Sequence, residues 1–247
     1  MSHEKVETNT GLLIVLILIV ASIAGLVQIV PLFAMSNLIE PVDGLKPYNA
    51  LQVEGRDIYI REGCNNCHSQ MVRPFRHELE RYGEYGKPGE TVYEHPFLWG
   101  SKRTGPDLAR EGGKYPNLWH VRHMEDPRST SPRSLMPPYP WLLERELDLE
   151  ILPRRMRALS KVGVPYTGEQ IANAITDAEI QAQEIAADVA SQSGPEGIED
   201  KEIVALVAFL QRLGTDIKTG GTAPVGATMT KDPTEETEPV EEAVETP

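Results

Sequence analysis

The chain has 247 residues, room for one large domain or two small ones, and a formal net charge of −13 that argues against nucleic acid as a partner. Only 40% of the residues are hydrophobic and 6% aromatic, so any folded body has a modest core and would gain stability from burying a large cofactor. Two cysteines are all that is available for cross-links or ligation.

Residues 1–10 form a short polar segment. From Gly11 to about Met35 there is no charged side chain, and Leu, Ile and Val dominate. As a helix this run is roughly 37 Å long, enough to cross a ~30 Å hydrocarbon core with some tilt. It predicts a transmembrane helix over 11–35. A cleaved signal peptide is the rival reading, but its apolar region would be shorter, whereas here Val30-Pro31-Leu32-Phe33 prolongs the run. Glu4, Lys5 and Glu7 nearly cancel, so charge marks orientation poorly. A linker over 36–50 follows, with Pro41, Gly44 and Pro47. Leu51 to Glu62 reads as a helix. Gly55 inside it costs ~1 kcal/mol and is expected where another helix must come close.

That helix runs into Cys64-Asn65-Asn66-Cys67-His68. C-x-x-C-H is the attachment signature for c-type haem: Cys64 and Cys67 share one face of a helical turn and add to the two vinyl groups, and the imidazole of His68 reaches the iron. A thioredoxin-like redox pair wants a βαβ context, and a zinc site wants further Cys or His ligands at short spacing. A disulfide closing so tight a loop stabilises little. One covalently bound haem c is therefore the expected cofactor, and since such attachment belongs to the oxidising side of bacterial membranes, the bulk of the chain is expected in the periplasm.

Residues 69–102 read as loop, broken by Pro74, Gly83, Gly86, Pro88, Gly89 and Pro96. His77 and His95 lie here as ordinary solvated histidines. In Thr104-Gly105-Pro106-Asp107-Leu108, Pro106 stiffens the turn, and a carbonyl so held is expected to orient His68 through its second ring N–H. Asn117 to Glu125 reads as a short helix ended by Asp126-Pro127. Met136 follows, in Ser134-Leu135-Met136-Pro137-Pro138-Tyr139-Pro140-Trp141. A thioether in a rigid proline loop suits presentation to a fixed iron, and Met136 is preferred as axial ligand over Met71, Met124 and Met156. Arg122, Arg128 and Arg133 bracket the loop. They read equally as a solvated surface or as contacts to the haem propionates or a partner.

From Leu142 to Lys161 the pattern predicts a helix interrupted at Pro153. Thr167-Gly168-Glu169-Gln170 has a capping-box arrangement and opens a helix whose apolar positions run from Ile171 to Val189. A last helix, about Asp200 to Leu213, is capped by Gly214. The acidic segment 218–247 carries no apolar periodicity and reads as a disordered tail.

The order of haem motif, Thr-Gly-Pro turn, aromatic-bearing helix with Trp119, Met-Pro loop and terminal amphipathic helix resembles class I cytochrome c. The fold class this implies is mainly α: a single N-terminal transmembrane helix followed by a class I cytochrome c-like helical domain over 51–217, with insertions at 69–102 and 142–198. More closely, Cys64 to Gln70, Arg103 to Leu108 and Ser134 to Trp141 resemble the mono-haem cytochrome c subunit of cbb3-type cytochrome c oxidases. The resemblance implies that Cys64 and Cys67 bind haem c, that His68 and Met136 are the axial ligands, and that Gly105, Pro106, Trp119, Arg122 and Arg133 support the site. It implies a proton-pumping oxidoreductase complex in which this chain takes electrons from a di-haem cytochrome c subunit, or a soluble cytochrome c, and passes them to a catalytic haem b and haem–copper subunit. The chain would sit in lipid at the bacterial inner membrane. The mono-haem subunit of nitric oxide reductase, a free membrane-tethered shuttle and a thiol–disulfide oxidoreductase are the alternatives.

Overall fold

The computed structural model describes residues 3–34, 40–100 and 102–216. They fall into two units, Met1–Val42 with Lys87–Val92, and the remainder of the chain. The tail expected at 218–247 lies outside the described residues, as do 35–39 of the expected helix end and linker.

In the smaller unit, α1 (His3–Glu7) precedes α2 (Thr10–Ala34). Asn9 starts α2: its side chain accepts from the Leu12 backbone N–H at 3.1 Å. Thr10–Pro31 has a mean hydropathy of 3.0 and buries nothing within the protein, so this helix is long and apolar enough to span a membrane. Pro31 lies inside it, a position that membrane helices tolerate. The Val42 N–H donates to the Gly89 carbonyl, and Gly89 packs so closely on Glu40 that a side chain would not fit.

The larger unit is built on two helices, α3 (Ala50–Arg61) and α11 (Glu202–Arg212), which form its most extensive pairing. Asn49 and Gln52 make a reciprocal capping box at the start of α3. At the crossing, a Cβ on Gly55 would overlap the Ala205 backbone and come within 2.8 Å of Phe209 Cβ, so the helices meet where only glycine fits. Phe209 then packs against Tyr59 and Tyr48, with ring centroids 5.3 and 5.5 Å away. Between these helices in sequence come α4 (Cys64–Cys67), α5 (Arg76–Tyr82), α6 (Asn117–Glu125), α7 (Pro127–Thr130), α8 (Leu152–Lys161), α9 (Gly168–Ala172) and α10 (Ala174–Ser191). The buried stripe of α10 is Ala174, Ala178, Ala182, Ile185, Ala186 and Val189, and it closes one core with α3, α6 and α11. No strand occurs among the described residues; one isolated bridge, Glu146 to Lys201, leads the chain into α11.

The architecture is the mainly α fold expected, with local corrections. Residues 69–102 are not all loop, since α5 forms within them. Pro153 does not interrupt a helix but sits in the first turn of α8, where its missing N–H has no helical partner to lose, and residues 144–151 are irregular. The helix opened by the Thr167 capping box breaks at Asn173 into α9 and α10. Gly214 takes the left-handed conformation (φ +70°) after α11 that the terminal cap requires.

Candidate haem site

The two cysteines are placed by how α3 ends. Gly63 turns left-handed (φ +73°), reversing the chain after α3 so that Cys64–Cys67 form one helical turn, closed by the His68 N–H donating to the Cys64 carbonyl at 2.9 Å. Both thiols are free. Burial pushes the Cys64 thiol up to about 12, reinforced by Glu62.

His68 is held by the Thr104–Leu108 turn. The N–H groups of Thr104 and Gly105 donate to the Cys67 carbonyl at 2.8 and 3.0 Å, and that of Leu108 donates to the Ser69 carbonyl at 2.9 Å. This zipper brings the Pro106 carbonyl to 2.8 Å from His68 Nδ1. With Nδ1 serving as the donor, Nε2 is left as the atom able to face a metal. Burial lowers the pKa of the ring, partly opposed by the Pro106 bond and the Asp107 carboxylate, which favours the neutral imidazole that ligation needs. Gly105 lies against the ring: a Cβ there would overlap Cε1 and stand 2.8 Å from both nitrogens.

Two further elements border the same place. On α6, His123 stacks on Trp119 at 4.5 Å, and Trp119 on Tyr115 at 3.9 Å; the His123 ring also pairs with Thr130 Oγ1 at 2.6 Å. His123 is drawn below its ordinary pKa by burial and then by the nearby His68. The Met-Pro loop reaches the cysteines from the other side in sequence. The Tyr139 phenol is raised by burial and by Cys64 and Cys67, and its N–H donates to the Met124 carbonyl at 2.7 Å. Trp141 Nε1 donates to Glu62 at 3.1 Å, two residues before Cys64. Met136 packs half-buried against the core, while Leu135 beside it is 86% exposed.

Of the residues singled out from sequence, Cys64, Cys67, His68, Gly105 and Pro106 are thus together, with the loop of Met136 and the α6 face of Trp119 alongside. Arg122, Arg128 and Arg133 are exposed and form no ion pair among the described residues. Sequence reasoning gave no role to His123 or Glu62. The spacing of Trp119 and His123, one helical turn apart, was the available signal for the first; for the second, which also pairs with the adjacent Arg61, the partners that tie it to the Met-Pro loop region are 79 and 83 residues away.

The residues present fit a haem. Two unpaired thiols one turn apart, an imidazole whose second nitrogen is already spoken for, and a glycine where any side chain would fill the ring's cradle are what thioether attachment and axial ligation ask for. These features on this helical scaffold suit a haem-binding cytochrome domain. The family model described as cytochrome C oxidase, mono-heme subunit/FixO matches residues 3–217, and the chain belongs to that family. It is accordingly a mono-haem subunit of a cytochrome c oxidase, an oxidoreductase complex, with one N-terminal helix capable of anchoring it in a membrane. No curated protein matches the chain.

Proposed function

We propose that this chain is the membrane-anchored electron-transfer subunit of a cbb3-type oxidase. It receives electrons from a di-haem cytochrome c subunit or a soluble cytochrome c in the periplasm and delivers them to the haem b and haem–copper subunit that reduces oxygen. The observation that carries this reading is the 2.8 Å bond from His68 Nδ1 to the Pro106 carbonyl beside two free thiols, within a chain of the oxidase family. When bound, haem c supplies a one-electron couple. Cys64 and Cys67 would hold it by thioether links, and His68 and Met136 would occupy both axial positions, so that the chain relays charge and leaves oxygen chemistry to its partner. The α2 helix would anchor the complex in the inner membrane, with the larger unit on the periplasmic side.

The raised pKa of Cys64 speaks against thiol–disulfide exchange, which needs a stabilised thiolate. The family match favours the oxidase over the cytochrome subunit of nitric oxide reductase. Purification from membranes in mild detergent tests the assignment. Expected are a chain heavier than its amino acids by one haem, co-purifying haem b, and copper. Non-haem iron in place of copper would favour the reductase, and a solitary monomer would favour a free shuttle.

A further inference from the structure

Behind the His68 turn lies a buried group of charges that ligation alone does not require. The Asp107 side chain is fully enclosed, and every polar contact it makes is to one of the two segments that frame His68. It accepts from Ser69 Oγ at 2.6 Å and from the Met71 N–H at 2.9 Å, one and three residues after the histidine. It also accepts from the Ala109 N–H at 2.9 Å, immediately after the turn. Arg103, at the front of the turn, donates to Asp107 at 3.2 Å, to the Met71 carbonyl at 2.9 Å and to Ser69 Oγ. Its guanidinium is secured in turn by Glu78 on α5, 2.8 Å away and 1% exposed, and by the face of Tyr82, 5.3 Å from its ring centroid. Arg73 closes the group from the backbone and side chain onto Glu78. Two cations and two carboxylates thus balance, both carboxylates buried and Arg73 reaching in from the surface.

Asp107 accepts at both carboxylate oxygens, three bonds at Oδ2 and one at Oδ1, and no neutral side chain of the same size accepts at both positions. Burial makes the arrangement exacting, because removal of one partner strands the others. Its mechanical consequence falls on one atom: the carbonyl of Pro106, the residue next to Asp107, whose bond to Nδ1 sets the plane of the imidazole and how much electron density Nε2 can donate.

We propose that Asp107 is the positioning residue for the axial histidine, clamped by Arg103 and Glu78, so that α5 of the 69–102 insertion serves to set the orientation and donor strength of His68. The proposal rests on the haem assignment above. Asp107→Asn keeps the shape but puts an amide NH2 at one of the two accepting positions, against either the Ala109 N–H or the Ser69 and Met71 donors, and it removes a buried negative charge near the ring. Both changes make His68 a poorer donor to ferric iron. The variant should retain covalent haem, have a higher reduction potential than the parent, and show altered g-values in the low-spin ferric signal, which report the orientation of the axial ring. Ser69→Ala removes two bonds, the one Ser69 donates to Asp107 and the one it accepts from Arg103, and should shift the potential the same way by less, while Arg103→Lys, which keeps the charge, should keep most of the parental values.

The measurement is a potentiometric titration with electron paramagnetic resonance on the purified complex. If Asp107→Asn has parental potential and g-values, the proposal is overturned even where its melting temperature falls, since a merely structural role would lower stability alone. If that variant fails to mature, Ser69→Ala and Arg103→Lys decide: parental spectra and potential in Ser69→Ala overturn it, and a shift in Ser69→Ala with near-parental Arg103→Lys upholds it. A parent chain without covalent haem would instead overturn the underlying assignment, which the mass of the unmodified protein distinguishes.

Discussion

Gly105 lies face to face with the imidazole of His68, closer than any other residue type could approach. The contact explains why glycine precedes Pro106 in this turn: the carbonyl reaches Nδ1 only if the preceding residue has no side chain to push the ring away. Gly105→Ala should therefore tilt His68 and lengthen its bond to Pro106. We expect a low yield of haem-loaded protein, and in the fraction that matures a broadened ferric low-spin signal and a sixth ligand exchanged readily by added imidazole. An alanine variant with parental spectra would remove steric shaping of the ring from the account.

Met136→His should leave both thioether links in place, because the substitution is remote in sequence from Cys64 and Cys67. Bis-histidine ligation lowers the potential relative to His–Met, by an amount on the order of 0.1–0.3 V within the ~0.8 V that axial ligation spans. Oxygen consumption by membranes should slow accordingly, read with an oxygen electrode and a redox titration of the same preparation. Unchanged optical and redox properties would transfer the ligand role to another methionine.

Much of this site was legible because its chemistry is local in sequence. Cys64, Cys67 and His68 are fixed by spacing, and the stiff turn at Pro106 could be matched to the histidine because a proline-held carbonyl has few directions in which to point. Gly55 was legible for the same kind of reason: a costly residue inside a helix implies a close neighbour. What escaped notice depends on distant partners. Helix α5 has only seven residues and little apolar periodicity; what fixes it is Glu78, bonded to Arg73 and to Arg103 across 25 residues. Likewise Pro153 marks a helix start only once residues 144–151 are drawn off toward α11 by the Leu147 bond to Asp200.

The crossing of α3 and α11 gives a stability prediction. A Cβ at position 55 meets backbone atoms of α11, which cannot step aside as a flexible side chain could. Gly55→Val should force the helices apart and cost about 3 kcal/mol or more, at the upper end of overpacking effects. Thermal unfolding of the haem-loaded subunit should show a melting temperature lower by roughly 10 °C, taking ~2–4 °C per kcal/mol for a domain of this size. A parental melting temperature would mean that the crossing tolerates separation.

Glu78 gives the domain an acid limit. Hydrogen bonds from Arg103 lead in holding its carboxyl down to about 2, against the burial that opposes them, where a free glutamate titrates near 4.5. Because the folded pKa lies below the unfolded one, the unfolded chain takes up the proton first. The stabilisation is therefore complete above about pH 4.5 and is lost as pH falls from there through 2. In Glu78→Gln this contribution is gone at every pH. Stability at pH 7 should be lower by about 1–2 kcal/mol, allowing for solvent screening at the exposed edge of Arg73, and the fall in stability between about pH 5 and pH 2 should be shallower than in the parent. Chemical denaturation followed through the haem absorbance at stepped pH reads both quantities. Curves that run parallel across that window would show that Glu78 carries no linked proton, and would return the acid response to the remaining carboxylates.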